Sequence, residues 1–247
     1  RAQLLALAGE EGVEARLIEQ LGGGEWKLSH GPFPRRKLPA LTKPGWTALV
    51  QGVDLHNEDA HALLQQFRFV PDARMDDLMI SFATDQGGVG PHFDNYDVFL
   101  LQAYGKRRWR IGRQKDFTLQ AGVPLKILTN FEPEEEFVLE PGDMLYLPPR
   151  LAHFGTAEDA CMTYSVGFRA PSAAEVLTHF TDFLAQFLPD EERYSDADLL
   201  PAEDPYQIQS DALERLRSML NEHMGDERLL LTWFGQFMTE PRYPERV

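Results

Sequence analysis

Between Asp77 and Phe168 the sequence is a series of short apolar runs separated by clusters of glycine, proline and aspartate. This punctuation limits the fold more than any other feature, because it leaves no room for long helices between the runs. Short strands that follow one another at this spacing are typical of an antiparallel sandwich or barrel. The runs with the length and residue types of strands are 78–83, 98–104, 107–111, 136–139, 144–147 and 163–168.

The regions on either side of this strand-rich centre differ from it. Before it, the residue patterns predict, in order, helix 2–10, strands 15–20 and 26–29 as a hairpin, loop 32–44, strand 46–53 and helix 59–68. After it, Ser172 and Glu175 form a capping-box signature at the start of a helix that runs toward Pro189. Helices over 211–221 and 227–238 follow an acidic linker, 194–206. We therefore expect a mainly β domain over 1–170 and a helical region over 171–247.

The composition disfavours some classes of function. Lys and Arg total 24 against 39 Asp and Glu, and the net charge of −15 disfavours direct binding of nucleic acid. No apolar run approaches the roughly 20 residues that a membrane-spanning helix needs, so we expect no membrane partner. The single cysteine, Cys161, cannot form an internal disulfide, which favours a cytoplasmic protein.

A histidine and an aspartate stand two residues apart in the segment 90–94. Residues i and i+2 of an extended chain point to the same face, so His92 and Asp94 can reach one point. His153 follows 61 residues later, after a Pro-Gly-Asp turn and an apolar strand, which lets the chain turn around a barrel and return. Two imidazoles and one carboxylate form the facial triad of non-haem iron(II) oxygenases. The alternative is that both histidines end loops and that Asp94 caps a turn.

Strand alternation also places a charge on an apolar face. In the run 107–111, Arg107 shares its face with Trp109, so a barrel-facing Trp109 brings Arg107 inside as well. A buried guanidinium needs an anionic partner, and arginine suits a small carboxylate because it binds it with two parallel hydrogen bonds. The alternative is a solvated basic stripe over 106–110. Thr163 and Ser165 share one face and either donate hydroxyl groups to a ligand or form the polar side of an edge strand.

Taken together, these stretches resemble the JmjC-domain ribosomal oxygenases, in particular the bacterial branch that hydroxylates an arginine of large-subunit ribosomal protein sixteen. The resemblance implies a double-stranded β-helix of the cupin or JmjC type, followed by a helical region used for dimerisation. It also implies a requirement for Fe(II), 2-oxoglutarate and dioxygen. The C-terminal winged-helix domain of the family and an N-terminal stretch find no counterpart in this sequence. The matching segments are 29–33, 76–82, 92–94, 97–102, 105–110, 141–149, His153 and 164–171.

The resemblance also implies roles for individual residues. His92, Asp94 and His153 match the iron ligands, and Arg107 matches the residue that binds the distal carboxylate of 2-oxoglutarate. We expect Asp77 to pair with the guanidinium of the substrate arginine, while Met79 and Tyr96 pack against the methylene groups of that side chain. The alternative is that Asp77 caps the start of a strand and that Met79 and Tyr96 belong to the core.

The expected protein is therefore a 2-oxoglutarate- and Fe(II)-dependent oxygenase that acts, as a cytoplasmic homodimer, on an arginine of a large-subunit ribosomal protein. Related JmjC enzymes that hydroxylate histidine or demethylate methyl-lysine share the same iron chemistry, so both activities stay open. A small-molecule cupin enzyme also stays open, as does a metal-free cupin-like binding protein whose helices mediate assembly.

Overall fold

The computed structural model describes residues 1–198, 200 and 204–240 of the chain. The chain forms two compact units, Arg1–Ala170 and Pro171–Val247. The boundary between them lies where the strand-rich pattern of the sequence gives way to helical spacing. The strands that the structure describes all lie in the first unit, and the second unit is helical.

The first unit consists of one sheet and two helices, with single 3₁₀ turns at Arg35–Lys37, Val53–Leu55 and Asp72–Arg74. The helices are α1 (Ala2–Leu7) and α2 (Glu58–Gln65). The side chain of Asn57 caps α2 by accepting a hydrogen bond from the backbone N–H of Ala60. The strands are β1 (Ala15–Gly22), β2 (Glu25–His30), β3 (Trp46–Val50), β4 (Met75–Ala83), β5 (Val98–Gly112), β6 (Glu135–Leu139), β7 (Met144–Leu147) and β8 (Ala152–Phe168).

The eight strands form one sheet in the order β2-β1-β3-β4-β8-β5-β6, and β7 also pairs with β5. Every pairing within the sheet is antiparallel, which confirms the prediction from the short, punctuated strands. β5 and β8 pair along their whole length, from Val98 opposite Gly167 to Gly112 opposite Ala152. This long pairing carries the sheet from the main core to the residues that form the candidate site.

Alternation divides the strand residues between two faces of the sheet. On one face, Leu78 and Phe82 pack with apolar residues of α1 and α2 in the larger core. On the other face, which we call the interior face, Leu100 packs with Trp109 and Ile111. Residues paired across strands share a face, so the register places several buried polar side chains there. They are Ser81, Gln102, Arg107, His153, Thr163 and Ser165.

Two of the predicted strands are parts of one strand. The runs 98–104 and 107–111 belong to the single strand β5, because Gly105, at φ 62°, forms a bulge through which the pairing continues. β8 likewise begins at Ala152 rather than at the predicted Thr163. Its first half contains Gly155, and Asp159 at φ 59°, which interrupt the apolar alternation that marks a strand in the sequence.

Other boundaries differ less from the predictions. The strand predicted over 46–53 ends at Val50, because Gly52 at φ 58° turns the chain into a 3₁₀ segment. The hairpin of β1 and β2 is confirmed. Of the predicted acidic linker 194–206, residues 199 and 201–203 lie outside the described residues, and 194–198 contain no helix or strand.

The second unit contains α3 (Ala173–Ala185), α4 (Ser210–Met224) and α5 (Glu227–Thr239). The predicted capping box is present, since Ser172 and Glu175 exchange side-chain and backbone hydrogen bonds at the start of α3. Phe180, Leu184 and Trp233 form its buried cluster. Among the described residues, no helix combines the length and the apolar character needed to cross a membrane. Several apolar side chains of α4 and α5 are exposed: Leu213, Leu216, Leu220, Leu230, Leu231 and Phe234.

The bulge at Gly105 gives a test of the fold. A Cβ atom at this position would lie 2.2 Å from the carbonyl oxygen of Ala160, and the positive φ angle disfavours any other residue. We therefore expect Gly105→Ala to lower the free energy of unfolding by about 2 kcal/mol or more, measured by urea denaturation. Gly122→Ala is the matched control, because Gly122 also has a positive φ, 78°, but nothing lies within 4 Å of its Cβ position. Equal losses in the two variants would contradict a role for the close approach at Gly105.

Candidate metal centre

Backbone hydrogen bonds join the two candidate histidine ligands directly. The N–H of His92 donates to the carbonyl oxygen of His153 at 3.0 Å, and the N–H of His153 donates to the carbonyl oxygen of His92 at 2.8 Å. His153 is the second residue of β8, whereas His92 lies in the segment between β4 and β5. This antiparallel bridge therefore holds side by side two residues that are distant in the sequence.

The three candidate ligands converge on one point. The imidazole centroids of His92 and His153 are 4.2 Å apart. Nε2 of His153 is 3.7 Å from Oδ2 of Asp94, and one ligand atom from each of the three side chains lies within 4.8 Å of the others. The structure thus brings together the three residues that the sequence singles out as a facial triad.

Hydrogen bonds from the protein select the tautomer of both rings. Nδ1 of His92 is 2.9 Å from the carbonyl oxygen of Gly90, and Nδ1 of His153 is 2.9 Å from that of Leu151. A carbonyl oxygen only accepts, so each Nδ1 carries the proton and each Nε2 keeps a lone pair. Metal-binding histidines in proteins are oriented by this kind of outer hydrogen bond.

The charge state of His153 also suits a ligand. The side chain is 3 % exposed, and burial, together with the neighbouring His92, lowers its pKa to about 3. The imidazole is therefore neutral across the physiological pH range, and no proton has to leave it before a cation binds. Two neutral nitrogen donors and one carboxylate on one side are the ligand set of non-haem Fe(II) sites, so the residues present fit that metal.

Further contacts hold the carboxylate ligand in place. The backbone N–H of Arg150 donates to the carbonyl oxygen of Asp94 at 2.7 Å. The guanidinium of Arg150 lies over the ring of Phe117, 4.5 Å from its centroid, and 5.7 Å from that of Phe93. Such cation–π contacts are attractive. Arg150 therefore connects the ligand segment 92–94 to the long loop between β5 and β6.

Arg107 lies inside the sheet, on the face that strand alternation indicates. It is 4 % exposed, and its guanidinium carbon is 5.7 Å from the centroid of the Trp109 ring. Its Nε and Nη2 atoms are buried and have no hydrogen-bond partner within the described residues. Arg108, the next residue, is by contrast paired with Glu136 and Glu158. Unpaired donors of a buried guanidinium favour an anionic ligand, so this site fits a small carboxylate.

The two hydroxyl residues predicted beside Arg107 differ in their surroundings. Ser165 is buried on the interior face, opposite Leu100. Thr163 is also buried there, but its hydroxyl donates to Oε1 of Gln102 at 2.9 Å, while Nε2 of Gln102 donates to the carbonyl oxygens of Tyr104 and Gly105. The Thr163 hydroxyl thus contacts Gln102, which supports the bulge, and its contact with a ligand stays a prediction.

The three residues predicted to hold a substrate side chain show fewer contacts with one another than the three candidate metal ligands do. Asp77 is the third residue of β4 and is 7 % exposed. Met79 follows two residues later on the same strand, and its sulfur atom is 3.8 Å from Nη2 of Arg16. Tyr96 is 40 % exposed, and burial of its hydroxyl end beside the Asp94 carboxylate raises its pKa.

Sequence reasoning missed two polar residues near Asp77. Gln51 donates to Oδ2 of Asp77 at 3.2 Å, and Arg16 donates to Oε1 of Gln51 at 3.1 Å. A signal for Arg16 was present in the sequence, because it stands in a strand between Ala15 and Leu17 and so shares a face with Ile18. That is the same kind of alternation argument that identifies Arg107.

Comparison with known proteins shows what the chain is similar to. Residues 62–176 match the family model described as the JmjC domain. The chain is 40 % identical over 244 residues to the ribosomal protein uL16 3-hydroxylase of Escherichia coli K12, and this alignment covers 98 % of the chain and 64 % of the relative. A probable ribosomal oxygenase of Haemophilus influenzae is 36 % identical over 178 residues, which are 70 % of the chain and 44 % of that relative.

Solved structures of the E. coli ribosomal oxygenase YcfD show the same fold. The structure in complex with cobalt and 2-oxoglutarate has a TM-score of 0.86 and 39 % identity, and the match covers 98 % of this chain and 63 % of the other. A further structure of the same protein has a TM-score of 0.90 and 40 % identity, with 98 % and 64 % covered. These matches confirm the predicted JmjC or cupin fold class. The chain spans less than two thirds of the length of the curated relatives it matches.

The triad can be tested by metal binding alone. We expect Asp94→Ala or His92→Ala to weaken Co²⁺ binding by at least about 100-fold, because removing even an outer partner of a ligand costs roughly 10–100-fold. Titration calorimetry of the purified protein, backed by elemental analysis, measures this loss. His61→Ala is the control, since His61 is an exposed histidine of α2 whose ring forms a hydrogen bond with Gln65. Undiminished Co²⁺ binding by the ligand variants would contradict the triad.

Proposed function

We propose that this chain, which is similar to the bacterial ribosomal oxygenases and matches the JmjC domain model, is a 2-oxoglutarate- and Fe(II)-dependent oxygenase of that family. We propose further that it hydroxylates an arginine side chain of a large-subunit ribosomal protein. One observation carries the proposal: the interior face holds both the histidine–carboxylate cluster and the buried Arg107, whose Nε and Nη2 lack partners in the described part of the chain.

His92, Asp94 and His153 would hold the iron through the two Nε2 atoms and one carboxylate oxygen. Ligands on one side of a cation leave its other positions open for a co-substrate and for dioxygen. The bound iron supplies the oxidation: one oxygen atom of dioxygen enters a C–H bond of the substrate, and 2-oxoglutarate takes the other and becomes succinate and carbon dioxide. The protein contributes the orientation of the ligands, which the Nδ1 hydrogen bonds to Gly90 and Leu151 fix.

Arg107 would bind the far carboxylate of 2-oxoglutarate with the two donors that the protein leaves unpaired. A guanidinium edge and a carboxylate form two parallel hydrogen bonds, which fix the direction of the co-substrate as well as its position. Trp109 and Ile111, on the same face, exclude water from this end of the site and strengthen the ion pair. Ser165 offers a further hydroxyl there, and Thr163 acts indirectly, by holding Gln102.

Asp77 would pair with the guanidinium of the substrate arginine, while Met79 and Tyr96 would lie against the methylene groups of that side chain. The burial of Asp77 supports this assignment, because a carboxylate removed from water gains more from a cationic partner than an exposed one does. A target in a ribosomal protein also agrees with the uL16 3-hydroxylase among the relatives. The net charge of −15 attracts basic partners and so favours an arginine-rich target.

The proposal extends to the assembly and location of the protein. We propose a homodimer formed through the helical unit, supported by the exposed leucines of α4, which would otherwise lie in water. A ribosomal protein as substrate and the single cysteine support a cytoplasmic location, and the acidic net charge supports recognition of the protein target without direct contact with nucleic acid.

The role of Arg107 separates co-substrate binding from metal binding. We expect Arg107→Met to raise the dissociation constant for 2-oxoglutarate by about 100-fold, because it removes a charged, bidentate pair in a buried site. Binding is measured by calorimetry on the Co²⁺-loaded protein, whose metal content stays unchanged. Arg108→Met is the matched control, since this neighbour is on the opposite face and pairs with surface glutamates. Equal affinities in Arg107→Met and wild type would place the carboxylate elsewhere.

The substrate is tested by mass spectrometry. Peptides that cover the basic loops of large-subunit ribosomal proteins are incubated with the enzyme, Fe(II), ascorbate and 2-oxoglutarate, and a gain of one oxygen on arginine is the expected product. Oxygen on histidine, or loss of methyl groups from lysine, would identify one of the related JmjC activities instead. Metal content below one ion per chain, without any oxygenated peptide, would favour a binding protein.

Asp77→Asn tests the substrate assignment separately. We expect arginine hydroxylation to fall by at least about tenfold, because the variant replaces a charged acceptor by a neutral one, while binding of Co²⁺ and 2-oxoglutarate is retained. Asp72→Asn is the control, because Asp72 is an exposed residue that pairs with Arg68 on the surface. Normal turnover of the peptide by Asp77→Asn would overturn the assignment.

A further inference from the structure

Beside the proposed substrate site the chain carries a guanidinium of its own. Arg16, on β1, donates from Nη2 to Oε1 of Gln51 at 3.1 Å, and the same nitrogen is 3.8 Å from the sulfur of Met79. Its Nε atom is buried and has no hydrogen-bond partner among the described residues. Burying a cation costs free energy, and this one also repels a cationic substrate that approaches the same region. We therefore ask what Arg16 contributes to the site.

Arg16 fixes the orientation of Gln51. A guanidinium only donates hydrogen bonds, so it turns the side-chain oxygen of Gln51 toward itself and leaves the NH₂ group to face Asp77. Nε2 of Gln51 is 3.2 Å from Oδ2 of Asp77, and both residues are buried. The Asp77 carboxylate only accepts, so it favours the same orientation of the amide, and Arg16 holds the amide there from its other end.

A second donor acts on the same oxygen of Asp77. The backbone N–H of Gly52 donates to Oδ2 at 2.7 Å. Gly52 has φ 58°, a conformation that favours glycine and that turns the chain sharply after β3. Two donors on one oxygen restrict the rotation of the carboxylate plane, so Gln51, held by Arg16, and Gly52 both act on how Asp77 is presented.

We propose that Arg16 is a positioning residue that, through Gln51, orients the Asp77 carboxylate for a planar guanidinium and so makes the site select arginine over lysine. The inference rests on the proposed function and deepens it. Two parallel hydrogen bonds between arginine and a carboxylate require a defined carboxylate plane. The ammonium of lysine can donate to a carboxylate oxygen from a wide range of directions. Loss of the orientation therefore weakens arginine binding and leaves lysine binding almost unchanged.

The experiment compares two peptides that differ only in arginine or lysine at the target position. Their affinities are measured by calorimetry on the Co²⁺- and 2-oxoglutarate-loaded protein. For Arg16→Met and for Gln51→Leu we expect the affinity for the arginine peptide to fall about tenfold, the cost of a lost hydrogen bond to a charged group, and that for the lysine peptide to change less than about twofold. The double variant is expected to lose no more than either single variant, because both break one chain of contacts.

Two further variants make the result decisive. Arg16→Lys keeps a donor for Gln51 and is expected to recover most of the arginine preference. Arg68→Met is the matched control, because Arg68 is an exposed arginine whose ion pair is with Asp72 on the surface. If Arg16→Met does not fold, as judged by its thermal transition, Gln51→Leu alone carries the test.

The failure of this inference is distinguishable from the failure of the proposed function. Wild-type protein that binds neither 2-oxoglutarate nor an arginine peptide contradicts the proposed function. Wild-type protein that binds both, with an unchanged arginine preference in Arg16→Met and Gln51→Leu, contradicts the positioning role. An equal loss for both peptides also contradicts it, because that result would assign Arg16 to the general stability of the site.

Discussion

The candidate site depends on the pair of backbone hydrogen bonds between His92 and His153. A cation site built from residues 61 positions apart has to offset the entropy of closing a long loop, and the sheet does so before any metal binds. The bridge fixes the two backbones, the carbonyl oxygens of Gly90 and Leu151 fix the two rings, and the N–H of Arg150 fixes the backbone of Asp94. The ligand set is thus preorganised by main-chain contacts that most substitutions leave intact.

The interior face shows how a sheet accommodates charge. Arg107 is buried, and two of its nitrogen atoms have no hydrogen-bond partner among the described residues, whereas the Asp77 carboxylate accepts from Gln51 and from the backbone of Gly52. The guanidinium of Arg107 therefore leaves part of its electrostatic demand unmet by the described part of the chain. In low-dielectric surroundings that unmet demand is large, which is why such a face favours charged ligands of the complementary sign.

The sequence predicts site residues where the two-residue alternation of an extended chain brings chemically suitable side chains to the same face. The spacing of His92 and Asp94 predicts a shared direction, and alternation around Trp109 predicts that Arg107 points inward; both follow from local geometry alone. The start of β8 was not predictable in this way, because Gly155 and Asp159 interrupt the alternation while pairing with β5 maintains the strand. The contact between Thr163 and Gln102 was not predictable either, because it joins residues 61 positions apart in the sequence.

The bulge at Gly105 also sets which basic residue faces the site. Before it, the interior residues of β5 have even numbers, such as Leu100 and Gln102, and after it they have odd numbers, such as Arg107 and Trp109. If the same residues formed an uninterrupted strand, Lys106 would point inward and Arg107 would face the solvent. The site would then have an ammonium group in place of a guanidinium that forms two parallel hydrogen bonds with a carboxylate. The single extra residue at this kink therefore decides which of two neighbouring basic residues faces the site.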